Sequence, residues 1–321
     1  MHAIVVTEHG GPDVLAWQEA PDPVPGPGQV VVDTRAAGVN FIDTYLRRGL
    51  YPSHPPYIPG SEGAGVVAVV GEGVTGIAVG DRVAWCDAAG SYAQRVVVGA
   101  DRAVPVPAAI ADDAAGTMLL QGLTADYLLD GAAHPRAGDT ILVHAGAGGV
   151  GLILTQLAVA AGITVITTVS SDEKETLSRG AGATHVLRYG PDLAARVADL
   201  TDGKGVAVAY DGVGADTFEQ SLAATRIRGT VVLFGAASGP VPPFDLQRLN
   251  GAGSLSVTRP TLAHFIADAA EFALRSTRFV EAVAGGAVAI RVGAHYRLAD
   301  AAQAHRDLES RKTTGSIVLT A

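Results

Sequence analysis

The stretch "LVHAGAGGVGL" constrains the fold more than any other part of this chain. It contains Gly146-Ala147-Gly148-Gly149-Val150-Gly151, a complete G-x-G-x-x-G that closes one apolar run and opens the next. A chain with 40 glycines among 321 residues produces that spacing readily by chance, so the neighbouring sequence decides its meaning. The neighbours alternate. "TILVHA" precedes the loop and "GVGLILTQLAVAAG" follows it; then come "TVITTV", "SDEKETLSRGAG", "THVLRY", "PDLAARVADLT", "VAVAYDGV" and "GTVVLFGA". Short, almost unbroken apolar strands alternating with helical stretches belong to a parallel sheet covered on both faces. In that setting each glycine has a task. One makes the tight turn, one lets backbone approach a pyrophosphate, and one packs helix against strand, with the phosphates resting on the helix's first N–H groups.

The other parts of the chain read differently. Up to about residue 120, short β runs such as "QVVVDTRAAGV", "GAGVVAVVGEGV" and "SYAQRVVVG" are separated by Gly/Pro turns. After Thr258 a long helical pattern, "TLAHFIADAAEFALRSTRFVEAVAGG", precedes a strand–helix–strand ending. The expectation is an α/β chain: a β-rich domain over 1–122, a Rossmann doubly wound parallel-sheet coenzyme domain over 123–260, and a C-terminal segment over 261–321.

Charge and cysteine usage narrow the partners. A formal net charge of −9, with no stripe of Lys and Arg, disfavours nucleic acid and anionic membrane. Cys86 is the only cysteine, so neither an internal disulfide nor a Cys-based metal site is open to the chain. The N-terminus lacks a signal-peptide pattern and the longest apolar stretch is broken by glycines, which leads us to expect a cytoplasmic soluble protein.

The strand after the glycine loop ends at Ser170-Ser171-Asp172-Glu173-Lys174. NAD-specific folds place an acid near this point to hold the ribose 2′-OH. Here a serine stands at the strand end, and Lys174 follows one helical turn on. Hydroxyls and an ammonium suit a 2′-phosphate, so NADPH is the expected cofactor. Asp172 and Glu173 leave NAD open, and Asp172 capping a helix with Lys174 solvated is the structural alternative.

A second concentration of chemistry is "NFIDTYLRRGLYPSHPP", residues 40–56. With its β-rich first part, inserted dinucleotide unit and C-terminal return, the chain resembles the medium-chain dehydrogenase/reductase superfamily, in which a GroES-like catalytic domain accompanies the Rossmann domain. Zinc members carry a Cys on the first catalytic loop, a His in a Gly-His-Glu motif, and a further Cys. This sequence has Asn40 on that loop and Gly60-Ser61-Glu62 at that motif. We therefore expect no metal. Alcohol oxidation gains from a Lewis acid that stabilises the alkoxide, whereas reducing a quinone or enone needs hydrogen bonds and water for the developing anion.

Within the superfamily the chain resembles the zinc-free quinone oxidoreductases, the ζ-crystallin branch. The resemblance rests on "HGGPDVL", "NFIDTYLRRGLYP", "GLTADYLL", "HAGAGGVG", "YDGVG", "VTRP" and "LESRKTTGSIVL". It implies that Asn40, Asp43, Tyr45 and Tyr51 line the acceptor pocket, Tyr45 as a donor and Tyr51 as an aromatic wall. It places Phe41, Thr44, Phe234, Gly235, Thr258, Arg259 and Pro260 near the nicotinamide side, and makes Thr124 and Tyr127, opening the coenzyme domain's first helix, further neighbours of the cofactor. It groups Lys174, Tyr189 and Arg311 around the adenosine 2′-phosphate. The resemblance also implies a homodimer acting on a quinone as its small-molecule substrate, with an enone or enal reductase as the nearest alternative. A nucleotide- or RNA-binding ζ-crystallin-like protein is the alternative of another class. Plainer readings stand beside these. Asp43 caps a helix as readily as it serves a site, and Tyr51 before Pro52 suits a surface turn. Arg47 and Arg48 read as solvated, and His144 as a packed, hydrogen-bonded residue.

Overall fold

A computed structural model describes residues 1–321. The chain forms two compact units, one of Met1–Leu123 with Ile266–Ala321 and one of Thr124–Phe265. The second division falls after Phe265 rather than after Pro260, because the short helix Leu262–Phe265 stays with the coenzyme unit.

The first unit is built on a seven-stranded sheet. Its order is Val292–Arg297, Ser316–Thr320, Gln29–Val39, Glu62–Val70, Arg82–Cys86 and Val104–Pro105, with Arg95–Gly99 also paired to Gln29–Val39. The long Val-rich strand Gln29–Val39 serves two cores. Val30 and Val32 pack with Val67, Val83 and Trp85, while Ala37 and Val39 pack with Tyr92, Ile317 and Leu319. The last strand of the chain lies antiparallel to it, with Ile317 opposite Val39. The C-terminal segment is thus part of the N-terminal sheet.

The second unit is a six-stranded, wholly parallel sheet. Its order is His185–Arg188, Thr164–Val169, Thr140–Val143, Val206–Asp211, Thr225–Leu233 and Ser256–Thr258. Relative to chain order, the first strand of this unit sits beside the fourth, which is the doubly wound arrangement. Ligands of such sheets bind outside the carboxyl ends of the strands where the winding reverses, here beyond Val143 and Asp211. Leu142, Ile166, Ala209 and Val231 of the strands share one core with Leu193, Val197, Phe218 and Leu222 of the helices.

Two expectations are corrected. The helical pattern after Thr258 is broken into Leu262–Phe265 and Ala269–Ala284, because Asp268 caps the second helix by accepting from the Glu271 N–H at 2.8 Å. Thr124 and Tyr127 do not open a helix: they lie in the last turns of Asp112–Tyr127, which begins upstream at the acidic pair Asp112 and Asp113.

Candidate active site

The 40–47 segment folds as a strand end followed by the helix Phe41–Arg47, with Asn40 in extended conformation at its N-cap. Asp43 occupies the third helical position, and its Oδ2 accepts the Asn40 backbone N–H at 2.8 Å. This supplies the helix start with a partner while leaving the Asn40 side chain for other work. That side chain donates from Nδ2 to Glu62 Oε1 at 2.6 Å and accepts at Oδ1 from Gln121 Nε2 at 3.1 Å. Gln121 Oε1 in turn accepts from Ser316 Oγ at 2.7 Å, and the Leu120 N–H reaches Glu62 Oε2 at 2.9 Å. Gly60, with φ +95°, sets the backbone ahead of Ser61; a Cβ there would stand 2.4 Å from the Tyr92 ring.

A second line of hydrogen bonds leaves Asp43. Its Oδ1 accepts from Ser61 Oγ at 2.7 Å and its Oδ2 from Tyr92 at 3.2 Å. The Tyr92 hydroxyl meets His305 Nε2 at 3.1 Å, and His305 Nδ1 meets Arg47 Nη1 at 2.9 Å. A guanidinium only donates, so Nδ1 accepts and Nε2 carries the hydrogen that goes to Tyr92. Arg47 also donates to the Gly10 carbonyl at 3.1 Å and to Glu309 at 2.8 Å. This overturns the reading of Arg47 as solvated: it is 1% exposed. Arg48 is exposed as expected.

Burial governs the electrostatics. It raises Asp43 to about 6 against the three hydrogen bonds it receives, and raises Glu62 to about 8 against those from Asn40 and Leu120. Burial, with the Arg47 charge second, pushes His305 down to about 3, so the imidazole in this line is neutral. The Cys86 thiol is buried and raised, which makes it an inert packing residue. No group of three or more His, Cys, Asp or Glu is placed to hold a metal ion. Asn40 and Ser61 are engaged in the hydrogen bonds above.

On the same helix Tyr45 is buried and Thr44 accompanies it, its hydroxyl turned back to the Phe41 carbonyl at 2.8 Å. The Tyr45 ring meets Tyr51 edge-on at 5.3 Å and Phe41 at 6.2 Å. Tyr51 stands at the surface end of this aromatic row, held by the turn that returns the Leu50 N–H to the Tyr45 carbonyl at 2.9 Å. Asn40, Asp43, Tyr45 and Tyr51 are therefore brought together within one unit. Arg311 belongs to the same unit, exposed just beyond the helix Ala301–Glu309 with φ +57°.

In the coenzyme unit the helix Gly149–Ala160 begins at the glycine loop, and its N-cap, Gly148, offers no side chain to the first N–H groups. A Cβ on Gly146 would lie 2.5 Å from Thr167 Cβ, and one on Gly151 would lie 2.4 Å from the Ala145 carbonyl oxygen. Around Gly148 only that same oxygen stands within reach, at 3.3 Å. Packing thus demands glycine at 146 and 151, while 148 keeps an open approach to an uncapped helix end. That is the shape and polarity a pyrophosphate needs.

Ser171 caps the next helix, Asp172–Gly180, by accepting from the Lys174 N–H at 3.3 Å; Asp172 is its first residue rather than its cap. Ser170 is exposed beside it. Arg188, which sequence reasoning passed over, pairs with Asp172 at 2.5 Å and Glu175 at 2.9 Å, so these acids face a cation. Tyr189 follows, its hydroxyl accepting the Ala145 N–H at 2.9 Å. Phe234 and Gly235 are tied to the end of the neighbouring strand through the Asp211 carbonyl, at 2.9 Å for Phe234 N. Thr258 ends the edge strand, Arg259 is exposed and Pro260 is buried. Thr124 is buried, and Tyr127 is stacked on Phe265 at 4.4 Å.

A GroES-like β-domain with a doubly wound coenzyme unit defines a medium-chain dehydrogenase/reductase. Residues 26–108 match the family model described as alcohol dehydrogenase GroES-like domain, and residues 149–276 match that described as zinc-binding dehydrogenase. Pseudomonas aeruginosa quinone oxidoreductase is 45% identical over 97% of both chains, and a Burkholderia 2-haloacrylate reductase is 41% identical over 99% of this chain and 98% of that one. A mycobacterial protein solved in complex with NADPH is 52% identical and superposes over 100% of both chains with a TM-score of 0.98. The chain belongs to the quinone oxidoreductase family of medium-chain dehydrogenase/reductases.

Proposed function

We propose that the protein reduces quinones with NADPH without the help of a metal. The observation that carries this reading is the open, uncapped glycine loop at the switch point of the doubly wound sheet, in a chain 45% identical to a quinone oxidoreductase. When bound, NADPH supplies the hydride. Gly146, Gly148, Gly149, Val150 and Gly151 receive its pyrophosphate, and Ser170, Ser171, Lys174, Tyr189 and Arg311 hold the 2′-phosphate. Phe41, Thr44, Phe234, Gly235, Thr258, Arg259 and Pro260 border the nicotinamide, and Thr124 and Tyr127 are further cofactor neighbours.

Asn40, Asp43, Tyr45 and Tyr51 receive the acceptor. Tyr45 donates to the carbonyl on which charge develops, Tyr51 supports the flat ring, and Asp43 with Glu62 fixes Asn40 from backbone and side chain. A quinone takes up a proton as well as a hydride, and water supplies it. The protein works in the cytoplasm, a setting in which a chain with one buried, free cysteine and no disulfide is at home. It acts as a homodimer, which the exposed edge strand Ser256–Thr258 would accommodate. No helix is long and apolar enough to cross a membrane.

The identity to a 2-haloacrylate reductase supports a second reading, reduction of an activated alkene in the same pocket. NADPH oxidation with 1,4-benzoquinone and a simple enone as parallel acceptors separates the two. Faster turnover with the quinone supports the first reading, and faster turnover with the enone replaces it.

A further inference from the structure

His144 directly follows the strand Thr140–Val143 that feeds the glycine loop, and it is 1% exposed. Both ring nitrogens are engaged: Nδ1 with Thr168 Oγ1 at 2.9 Å and Nε2 with Ser221 Oγ at 3.0 Å. The direction of these bonds follows from Asp211. Its Oδ2 accepts from Ser221 Oγ at 2.7 Å, and its Oδ1 accepts the Val213 and Gly214 N–H groups at 2.9 Å each. Ser221 spends its hydrogen on Asp211, so its oxygen accepts from His144 Nε2–H, and Nδ1 accepts from Thr168. One directed line therefore crosses the carboxyl ends of three adjacent strands, from Thr168 through His144 and Ser221 to Asp211. It passes through the switch point, and the Thr168 carbonyl also receives the Gly146 N–H at 3.0 Å.

This line fixes the plane of the imidazole, and Tyr189 lies on it. The rings stack with centroids 6.1 Å apart and planes 13° apart. Across the neighbouring strand, the Tyr189 hydroxyl accepts the Ala145 N–H at 2.9 Å. A hydroxyl that accepts from Ala145 still carries its own hydrogen, and an O–H donor is the polarity that suits a phosphate oxygen.

We propose that His144 is a positioning residue for cofactor choice: its fixed ring seats Tyr189 against the start of the glycine loop and so sets the preference for a nucleotide bearing a 2′-phosphate. The inference rests on the reading of NADPH as cofactor and of Tyr189 as part of the 2′-phosphate site.

The test is equilibrium binding of NADPH and of NADH, followed by nucleotide fluorescence, with thermal denaturation reporting the folded state. His144→Gln keeps a donor for Ser221 and removes the stacked ring. It is expected to weaken NADPH about tenfold and NADH less than about twofold, and to add nothing in a Tyr189→Ala background. Thr168→Val leaves the ring in place but removes the donor to Nδ1. It is expected to narrow the NADPH preference in the same direction, which keeps the test open if His144→Gln does not fold. Equal weakening of both nucleotides, or effects of His144→Gln and Tyr189→Ala that add, would overturn the role of His144. A wild-type protein that binds NADH as tightly as NADPH would instead overturn the cofactor reading itself.

Discussion

Arg47 donates to Nδ1 of His305 at 2.9 Å, joining the helix Phe41–Arg47 to the helix Ala301–Glu309 that precedes the last strand. The contact decides the His305 tautomer, and through Tyr92 it decides which donor reaches Asp43. Removing one member of a buried charged set leaves its partners unsatisfied, at about 3–5 kcal/mol. Arg47→Ala should therefore lower the unfolding free energy by about 3 kcal/mol or more in urea titrations. Arg47→Lys should recover part of that, since a single ammonium cannot serve Gly10, His305 and Glu309 together.

Glu62 makes stability depend on pH above neutrality. Its carboxyl is raised from 4.5 to about 8 in the folded protein, so the folded state holds this proton more tightly than the unfolded state. That contribution is fully present below 4.5 and is lost as pH rises through about 8. Between pH ~6.5 and ~8 the loss is about 1.4 kcal/mol per pH unit. Glu62→Gln has no such proton to lose. Measured by urea unfolding across that window, the variant should gain about 2 kcal/mol on the wild type. His305, depressed from 6.5 to about 3, contributes in the opposite sense below 6.5, and Asp43, raised from 3.8 to about 6, loses its contribution in the same sense as Glu62 but mostly below this window. A difference that stays constant with pH would show that Glu62 is not the titrating group.

Gly151→Ala should cost both fold and nucleotide. The new Cβ would stand 2.4 Å from the Ala145 carbonyl oxygen and 3.0 Å from Gly146 Cα, so the loop itself must shift. Overpacking of this kind costs about 1–3 kcal/mol. A lower melting temperature together with weakened NADPH binding is the expected result, and unchanged binding would contradict a pyrophosphate at this loop.

Tyr45 and Tyr51 should separate by kinetic constant. Tyr51→Ala removes the outer half of an edge-on pair, worth about 0.5–1.5 kcal/mol, and should raise the quinone KM by about twofold to tenfold with little change in kcat. Tyr45→Phe keeps the packing and removes the hydroxyl, so kcat should fall while KM moves less. A Tyr45→Phe enzyme with unchanged kcat would rule out donation from that hydroxyl to the reacting carbonyl.

These residues also show where the sequence was readable. The glycine loop could be recognised because its signal is local: strand, turn and helix lie within a dozen residues, and the surrounding alternation gives them context. His144 was legible as a packed histidine for the same reason, since it directly follows an apolar strand. The start of the 41–47 helix was half legible. Asp43 reads as a cap, but Asn40 takes that position and Asp43 closes the turn from inside the helix. Arg47 was misread because nothing near it reveals its partners. Gly10 lies far upstream in the chain, and His305 and Glu309 reach Arg47 only once the final strand has paired with Gln29–Val39. Arg188 was missed likewise, as its acids lie on the preceding helix.

The central claim, an NADPH-dependent quinone reductase, is tested most directly by kcat/KM for NADPH and for NADH with 1,4-benzoquinone as the acceptor. Rapid quinone-dependent oxidation of NADPH, with NADH far slower, is the predicted result. NADH oxidised as efficiently as NADPH, or tight NADPH binding without any turnover, would contradict it.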